Sequence, residues 1–284
     1  MNIRTDLALD LFESKKDSEK TFDIYKDIKK RKTVNICKIK IENKEQEAKI
    51  GKKMGEYITL EFNSVEKIAD FSEIEEEIIN ALKSLLPQKR ENILIVGLGN
   101  SDITCDSIGP LVADKILATR HIAGQFAEQI GLKGLKSVSV IAPNVLGKTG
   151  IEVSEIIEGI VRKTEPDAVI VIDACVSSSI NRIFKTVQFC NSGISPGSGV
   201  KNSRKELSTE TLKVPVIAVG VPTVVDAVNL AKELTNTQPI IFSDMIVTPK
   251  ESDLLSHRIS EIIATALNIF LQPEIEKQVL LSLV

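Results

Sequence analysis

Two aspartates, Asp106 and Asp173, are the residues of this sequence whose type and position best suit them for chemistry. Asp173 directly follows Ala168–Ile172, a continuous apolar and β-branched run that predicts a strand buried on both faces. Asp106 lies in the loop between a predicted strand at Asn92–Val96 and a predicted helix at Ile108–Leu117. Because ligands and catalytic groups gather at the carboxyl ends of parallel strands, the two carboxylates can share one crevice if these strands are neighbours.

A pair of close carboxylates has a specific chemistry. Two such groups cannot both ionise easily, so the pair holds one proton over a range of pH. The charged member can then draw a proton from water while the neutral member protonates a leaving group. Each aspartate taken alone also fits a structural role, because Asp106 can cap the helix that follows it and Asp173 can pair with a backbone amide or a basic side chain.

Other patterns for catalysis or binding are incomplete. The segment Gly97–Asn100 opens like a dinucleotide-binding loop, but Asp102 stands where that fingerprint needs its third glycine. The serine-nucleophile motif GxSxG is absent, and Cys175 is interpreted as a buried structural thiol. The histidines are His121 and His257, and the four cysteines include no CxxC pair. The sequence therefore predicts no metal site, no cofactor and no disulfide framework, as in a reduced, intracellular protein.

Composition narrows the class of protein. The chain has 284 residues, of which 43% are hydrophobic and 26% charged, an ordinary globular balance. Lys and Arg total 36 against 39 Asp and Glu, and Trp is absent, which argues against a nucleic-acid-binding surface. No apolar run approaches the roughly 18 residues of a membrane span, and the N-terminus has acids where a signal peptide needs an apolar core. Neither nucleic acid nor membrane is an expected partner.

The elements that must position the two aspartates alternate between strand and helix from residue 92 onward. That alternation predicts an α/β fold with a mostly parallel central sheet flanked by helices. Upstream, two strands at 33–41 and 56–62 predict a small N-terminal β-ribbon, and apolar spacing predicts a helix at 72–86. The remaining expected elements are strands at 138–141 and 214–219 and helices at 152–162, 224–234 and 253–270.

From Val96 onward the sequence resembles the germination protease family of spore-forming bacteria, endopeptidases that degrade small acid-soluble spore proteins. IRTDLA (3–8) and GKKMGEYITLE (51–61) also fit, so the resemblance covers nearly the whole chain. The main segments that carry it are LIVGLGNSDITCDSIGP (94–110), IAPNVLGKTGIEVSEIIEGIV (141–161), VIVIDA (169–174), GISPGSGVKNSRKELSTETLKVPVIAVGVPTVVDAV (193–228) and VTPKESD (247–253).

This resemblance implies roles for individual residues. Asp106 and Asp173 match the proposed catalytic pair of the family. The family fold resembles that of the hydrogenase-maturation endopeptidases, in which a histidine helps to bind a metal. No matching histidine is found here, so the resemblance implies a metal-independent site without a cofactor. The family cleaves after an acidic residue, which needs a cationic receiver, and Arg120, Arg204 and Lys205 are the candidates.

The resemblance also implies a zymogen that removes its own N-terminus. The family prefers an acidic residue before the bond, a hydrophobic residue after it and Ala next, and the sequence fits that rule at Asp6–Leu7. The expected division is a propeptide at 1–6 and a single α/β protease domain at 7–284, with the β-ribbon (33–62) inside it. The expected setting is the cytoplasm of the spore core, and the expected assembly is a homotetramer.

One departure from the family pattern is a short connection. Relatives carry a long insertion where this chain has only Thr235–Met245, which can alter substrate gating, oligomerisation or activity. Two alternatives remain open at this point. One is a metal-assisted hydrolase of the hydrogenase-maturation type, with the same aspartates as ligands. The other is a degenerate, non-catalytic paralogue that only binds spore proteins.

Overall fold

A mixed sheet of nine strands runs through the protein in the spatial order β1-β2-β3-β7-β8-β6-β4-β5, with β9 paired to β8. The computed structural model describes residues 4–15, 25–66, 68–123, 134–197, 205–235 and 245–283. The strands are Tyr25–Lys30 (β1), Val34–Ile41 (β2), Gly55–Phe62 (β3), Asn92–Gly97 (β4), Ser137–Ile141 (β5), Ala168–Ser177 (β6), Thr186–Cys190 (β7), Val216–Asp226 (β8) and Ile246–Val247 (β9). The helices are Ala8–Ser14 (α1), Lys44–Ile50 (α2), Ser72–Leu85 (α3), Ile108–Ala113 (α4), Leu146–Thr149 (α5), Val153–Thr164 (α6), Thr209–Leu212 (α7), Ala227–Thr235 (α8), Ser252–Leu271 (α9) and Lys277–Ser282 (α10).

Strands β5, β4, β6 and β8 are parallel neighbours and form the part of the sheet that the alternating pattern predicts. Strand β7 pairs antiparallel with both β8 and β3, and β3, β2 and β1 continue the sheet as the antiparallel ribbon. The predicted α/β architecture with flanking helices is therefore confirmed. The ribbon shares the central sheet because β7, a strand that the sequence reasoning missed, joins it to the parallel strands.

Two strands run further than their sequence patterns predict. Strand β6 continues past Ile172 to Ser177, so Asp173 lies inside the strand and not directly after it. Strand β8 reaches Asp226, and the helix predicted to start at 224 begins instead at Ala227. Both extensions have the same cause, since β6 and β8 pair with each other almost to their ends, through one irregularity in register.

Helices cover the sheet on both faces. On one face α3, α4 and α9 pack over buried aliphatic side chains of the central strands. The other face carries α1 and α2 over the antiparallel ribbon, and α6 and α7 over the parallel strands. On this second face a space remains between the helices over the ribbon, α1 and α2, and those over the parallel strands, α6 and α7. It lies over the segment that follows β4 and over the second half of β6.

Helix α9 is the longest of the described helices, at 20 residues. Its length and mean hydropathy of 1.3 would suffice to cross a membrane, but 72% of that stretch is buried inside the protein. Such burial is typical of a core helix that packs between a sheet and its neighbours. The helix predicted at 253–270 is thus confirmed, whereas the helix predicted at 108–117 ends early, at Ala113.

Candidate active site

A cavity of about 540 Å³ opens on the face of the sheet that carries α1, α2, α6 and α7, in the space between the first two and the last two of these helices. Its wall combines the segment after β4, the second half of β6, parts of β7 and β8, the loop after α2 and the N-terminal segment. A concave site with a few convergent polar groups is the usual form of an active site. The ionisable and amide side chains in this wall include Asp6, Lys52, Asp106, Asp173 and Gln188.

Asp106 is held by a loop that folds back on itself after β4. The Asn100 backbone N–H donates to the Asp106 carboxylate (N···Oδ2 2.9 Å) and lies 3.1 Å from the Asp106 carbonyl oxygen. Gly99 permits this turn because its φ is +113° and a Cβ there would lie 2.0 Å from that carbonyl oxygen. The glycine that resembles part of a dinucleotide-binding loop therefore serves to position a carboxylate.

Asp173 comes from the neighbouring strand. The parallel ladder of β4 and β6 ends at the pair Gly97 and Ile172, so Asp173 is the first residue of β6 beyond that ladder. The sequence predicts that Asp173 follows the end of its strand. That prediction is wrong for β6, which continues beside β8, but Asp173 does lie just past the point where the pairing with β4 ends. The residue is only 7% exposed, and its side chain faces the same cavity as Asp106.

The pKa values of both carboxyl groups are raised, and the charge of Asp106 contributes to the shift of Asp173. Burial raises the pKa of Asp173 well above its usual value, and the negative charges of Asp106 and then Asp6 raise it further. Burial also raises the pKa of Asp106, against the lowering effect of the hydrogen bond from Asn100. The structure thus brings together the two aspartates that the sequence singled out, in an environment that favours a proton on the pair.

The N-terminal segment lies along the same cavity. The Asp6 N–H donates to the Val176 carbonyl oxygen (2.8 Å), and the Val176 N–H donates to the Asp6 carboxylate (2.9 Å). Asp6 lines the cavity, whereas Leu7 and Ala8 are fully buried. The bond between Asp6 and Leu7 therefore lies where the cavity meets the protein interior.

Ion pairs hold both ends of this segment. Arg4 pairs with Asp226 at the end of β8 (2.9 Å). Asp10, which is buried, pairs with Arg182, and the same guanidinium also contacts two glutamates. The Ser178 N–H donates a further hydrogen bond to the Asp10 carboxylate (2.6 Å). Residues 4–10 are consequently attached to the sheet on both sides of the cavity edge.

Two of the basic residues proposed from the sequence, Arg120 and Lys205, do not lie in the cavity wall. Arg120 is exposed and lies beside the start of β5, and Lys205 pairs with a glutamate of α6. Arg204 lies outside the described residues. Within the described part of the chain, the basic side chains that line the cavity are Lys52 and Lys53, from the loop after α2. Their only sequence signal is that the segment 51–61 carries part of the family resemblance.

Cys175 lies in the same wall as the two aspartates. It is 9% exposed, and burial raises the pKa of its thiol well above the usual value, with the charges of Asp6 and Asp173 acting in the same direction. A thiolate is therefore disfavoured, in agreement with its interpretation as a structural thiol. All four cysteines are free, and the described residues contain no group of three side chains suited to hold a metal ion.

Comparison with known proteins identifies the family. Residues 5–237 match the family model described as germination protease. This chain belongs to the germination protease family. It is 36% identical to the germination protease of Clostridium acetobutylicum over an alignment of 317 positions, which covers 97% of each chain. It is 37% identical to that of Caldanaerobacter subterraneus subsp. tengcongensis (96% and 95% covered) and 48% identical to that of a Geobacillus species (68% and 54%).

Family membership makes this protein a peptide-bond hydrolase of spore germination. A solved structure, the NiFe hydrogenase maturation protease HycI from Thermococcus kodakarensis, was also found as a neighbour. It has a TM-score of 0.36 and 15% sequence identity, and covers 67% of this chain and 98% of its own. A likeness at that level supports no inference about this protein.

Proposed function

We propose that this protein is an endopeptidase that begins the degradation of small acid-soluble spore proteins during germination, with Asp106 and Asp173 activating the attacking water. One observation carries this proposal. A buried carboxyl group inside β6 and a half-buried one from the loop after the neighbouring strand β4 line the same cavity, and both have raised pKa values that favour retention of a proton. The substrate class comes from the family resemblance.

In the proposed mechanism the two aspartates carry one proton between them. The ionised aspartate takes a proton from water as the water oxygen bonds to the carbonyl carbon, and the carbonyl π electrons move onto the carbonyl oxygen. The neutral aspartate then gives its proton to the amide nitrogen as the carbon–nitrogen bond breaks. The products are an acid and an amine, and the pair again holds one proton.

The same site is proposed to cut its own chain between Asp6 and Leu7. Two features support this: Asp6 lines the cavity that contains the aspartate pair, and the two following residues are enclosed by protein. Ala8 belongs to the apolar cluster that includes Tyr57 and Ala218, where a larger side chain would have to displace its neighbours. A preference for Ala at the second position after the bond follows from that packing.

Lys52 is the cation we propose to receive the acidic side chain before the cleaved bond. Lys53 beside it is paired with Glu206, whereas Lys52 makes no ion pair with an acid among the described residues. Lys52 lines the same cavity as the two aspartates, and its charge lowers the pKa of Cys175 against the larger raising effect of burial. Arg204 stays a second candidate for this role.

We further propose that the protein acts in the cytoplasm of the spore core as a homotetramer, as the resemblance implies. Light scattering of the purified full chain measures the assembly directly. A mass of four chains is the expected result, and a monomer would reject the tetramer without affecting the proposed chemistry.

The proposed function is tested by incubating the full chain with a small acid-soluble spore protein and mapping the fragments by mass spectrometry. We expect cleavage after acidic residues, unchanged by a metal chelator. Lys52→Gln should slow cleavage at these sites more than Lys53→Gln, the matched control in the same loop. An intact substrate would favour a protein that only binds spore proteins, and loss of cleavage in chelator would favour a metal-assisted hydrolase.

A further inference from the structure

Gln188 is a polar residue in the middle of the short strand β7, all of whose residues are buried. It pairs in register with Gly220 on β8, and Gly220 pairs in turn with Asp173 on β6. Paired residues of adjacent strands point to the same face, so Gln188 and Asp173 flank Gly220 across the cavity floor. Two strand spacings separate them, about 9–10 Å between Cα atoms. Gly220 has no side chain, which leaves the floor between them open.

The Gln188 carboxamide binds the N-terminal segment at two backbone groups. The Ala8 N–H donates to Gln188 Oε1 (2.7 Å), and Gln188 Nε2 donates to the Asp6 carbonyl oxygen (3.4 Å). A backbone N–H can only donate, so the first contact fixes which end of the carboxamide is oxygen. These two contacts lie on either side of the Asp6–Leu7 bond. Within the described residues, the side-chain hydrogen bonds of Gln188 go to this segment alone.

We propose that Gln188 binds the backbone of the chain being cut and donates a hydrogen bond to the carbonyl oxygen of the cleaved bond. This inference rests on the proposed function, because it takes residues 6–8 as the first substrate. When water adds, the carbonyl oxygen gains negative charge and moves out of the peptide plane. A donor placed opposite Asp173 stabilises that charge more than it stabilises the uncharged carbonyl, which accelerates the reaction.

The second contact gives Gln188 a positioning role as well. Its Oε1 accepts the N–H of the second residue after the bond, which fixes the register of the bound chain against β7. Because a backbone is recognised here, the same two hydrogen bonds are available to any extended peptide of matching direction. After processing has removed residues 1–6, the Nε2 donor is free for the corresponding carbonyl of a protein substrate.

The test measures the first-order rate of self-processing in the full chain. Gln188→Leu removes both hydrogen bonds, and Gln188→Glu keeps the acceptor for the Ala8 N–H but removes the donor. We expect both variants to process on the order of 10²–10³-fold more slowly, the usual effect of losing one such donor. Gln272→Glu makes the same change in a buried carboxamide outside the cavity, bonded to Lys136 and Thr119, and controls for destabilisation.

Three readouts keep the inference separate from the proposed function. Protease protection of residues 4–10 reports docking, and it should be retained in Gln188→Glu while the rate falls. Asp173→Asn is run in parallel: if it processes normally, the proposed function itself fails. If Asp173→Asn is inactive but both Gln188 variants process within about threefold of the parent, the inference about Gln188 alone is overturned. A rate loss explained wholly by undocking would also overturn the donor role.

Discussion

Replacing Asp173 with asparagine is expected to remove activity and yet to stabilise the protein at neutral pH. The pKa of Asp173 is raised in the folded state by burial and by the neighbouring charges of Asp106 and Asp6. Between the ordinary carboxyl pKa and this raised value, the folded state binds more protons than the unfolded state. The stability of the parent protein therefore falls as the pH rises through that window. Asparagine does not titrate, so the variant avoids this loss.

The size of the effect follows from the burial of the group. Asp173 is 7% exposed, and removing an unfavourable buried charge is worth about 1–3 kcal/mol. For a chain of this length, each kcal/mol of stabilisation raises the melting temperature by roughly 2–4 °C. Thermal unfolding of parent and variant, followed by circular dichroism between about pH 4 and pH 8, measures the difference at each pH.

Asp102→Asn provides the matched control for this experiment. Asp102 lies in the same loop as Asp106 but is exposed and paired with Lys148, which lowers its pKa. The control should therefore be unchanged or slightly less stable at neutral pH. A stability gain of Asp173→Asn that is equal at pH 4 and pH 8, or a loss of stability at pH 8, would refute the reasoning.

Three further predictions follow from the same geometry. Gly99→Ala should lower the free energy of unfolding by about 2–4 kcal/mol and abolish cleavage, because its Cβ would overlap the Asp106 carbonyl oxygen; urea unfolding and a peptide assay measure both. Arg182→Gln should weaken the docking of α1 by about 3–5 kcal/mol, because it leaves Asp10 buried without its cation; faster limited proteolysis there is the readout, and unchanged proteolysis contradicts it. Self-processing should accelerate as the pH falls from about 8 toward 6, because ionisation of both Asp106 and Asp173 removes the shared proton; a flat rate–pH profile would contradict it.

The parallel part of the fold was predictable because its signals are local. Ala168–Ile172 is a run of buried apolar residues, four of them β-branched, and α3 and α9 have long stretches of helical apolar spacing. The adjacency of β4 and β6 was not predictable, because strand order depends on contacts between residues far apart in sequence. That adjacency is what turns two separate aspartates into a pair.

The rest of the site lacked local signals. Strand β7 is five residues long with a glutamine at its centre, so neither alternation nor an apolar run marks it. Lys52 follows a short helix in a charged stretch that resembles any solvated loop. The candidates Arg120 and Lys205 were chosen by charge, and only the fold places them outside the cavity wall.

The most direct test of the account compares Asp106→Asn and Asp173→Asn with the parent and with Asp102→Asn in cleavage of a small acid-soluble spore protein. Circular dichroism first confirms that each variant is folded. The account predicts that each dyad variant loses at least about a hundredfold in kcat/KM, the low end of general acid–base catalysis, while Asp102→Asn keeps the parental value. Near-parental cleavage by either folded dyad variant would contradict it.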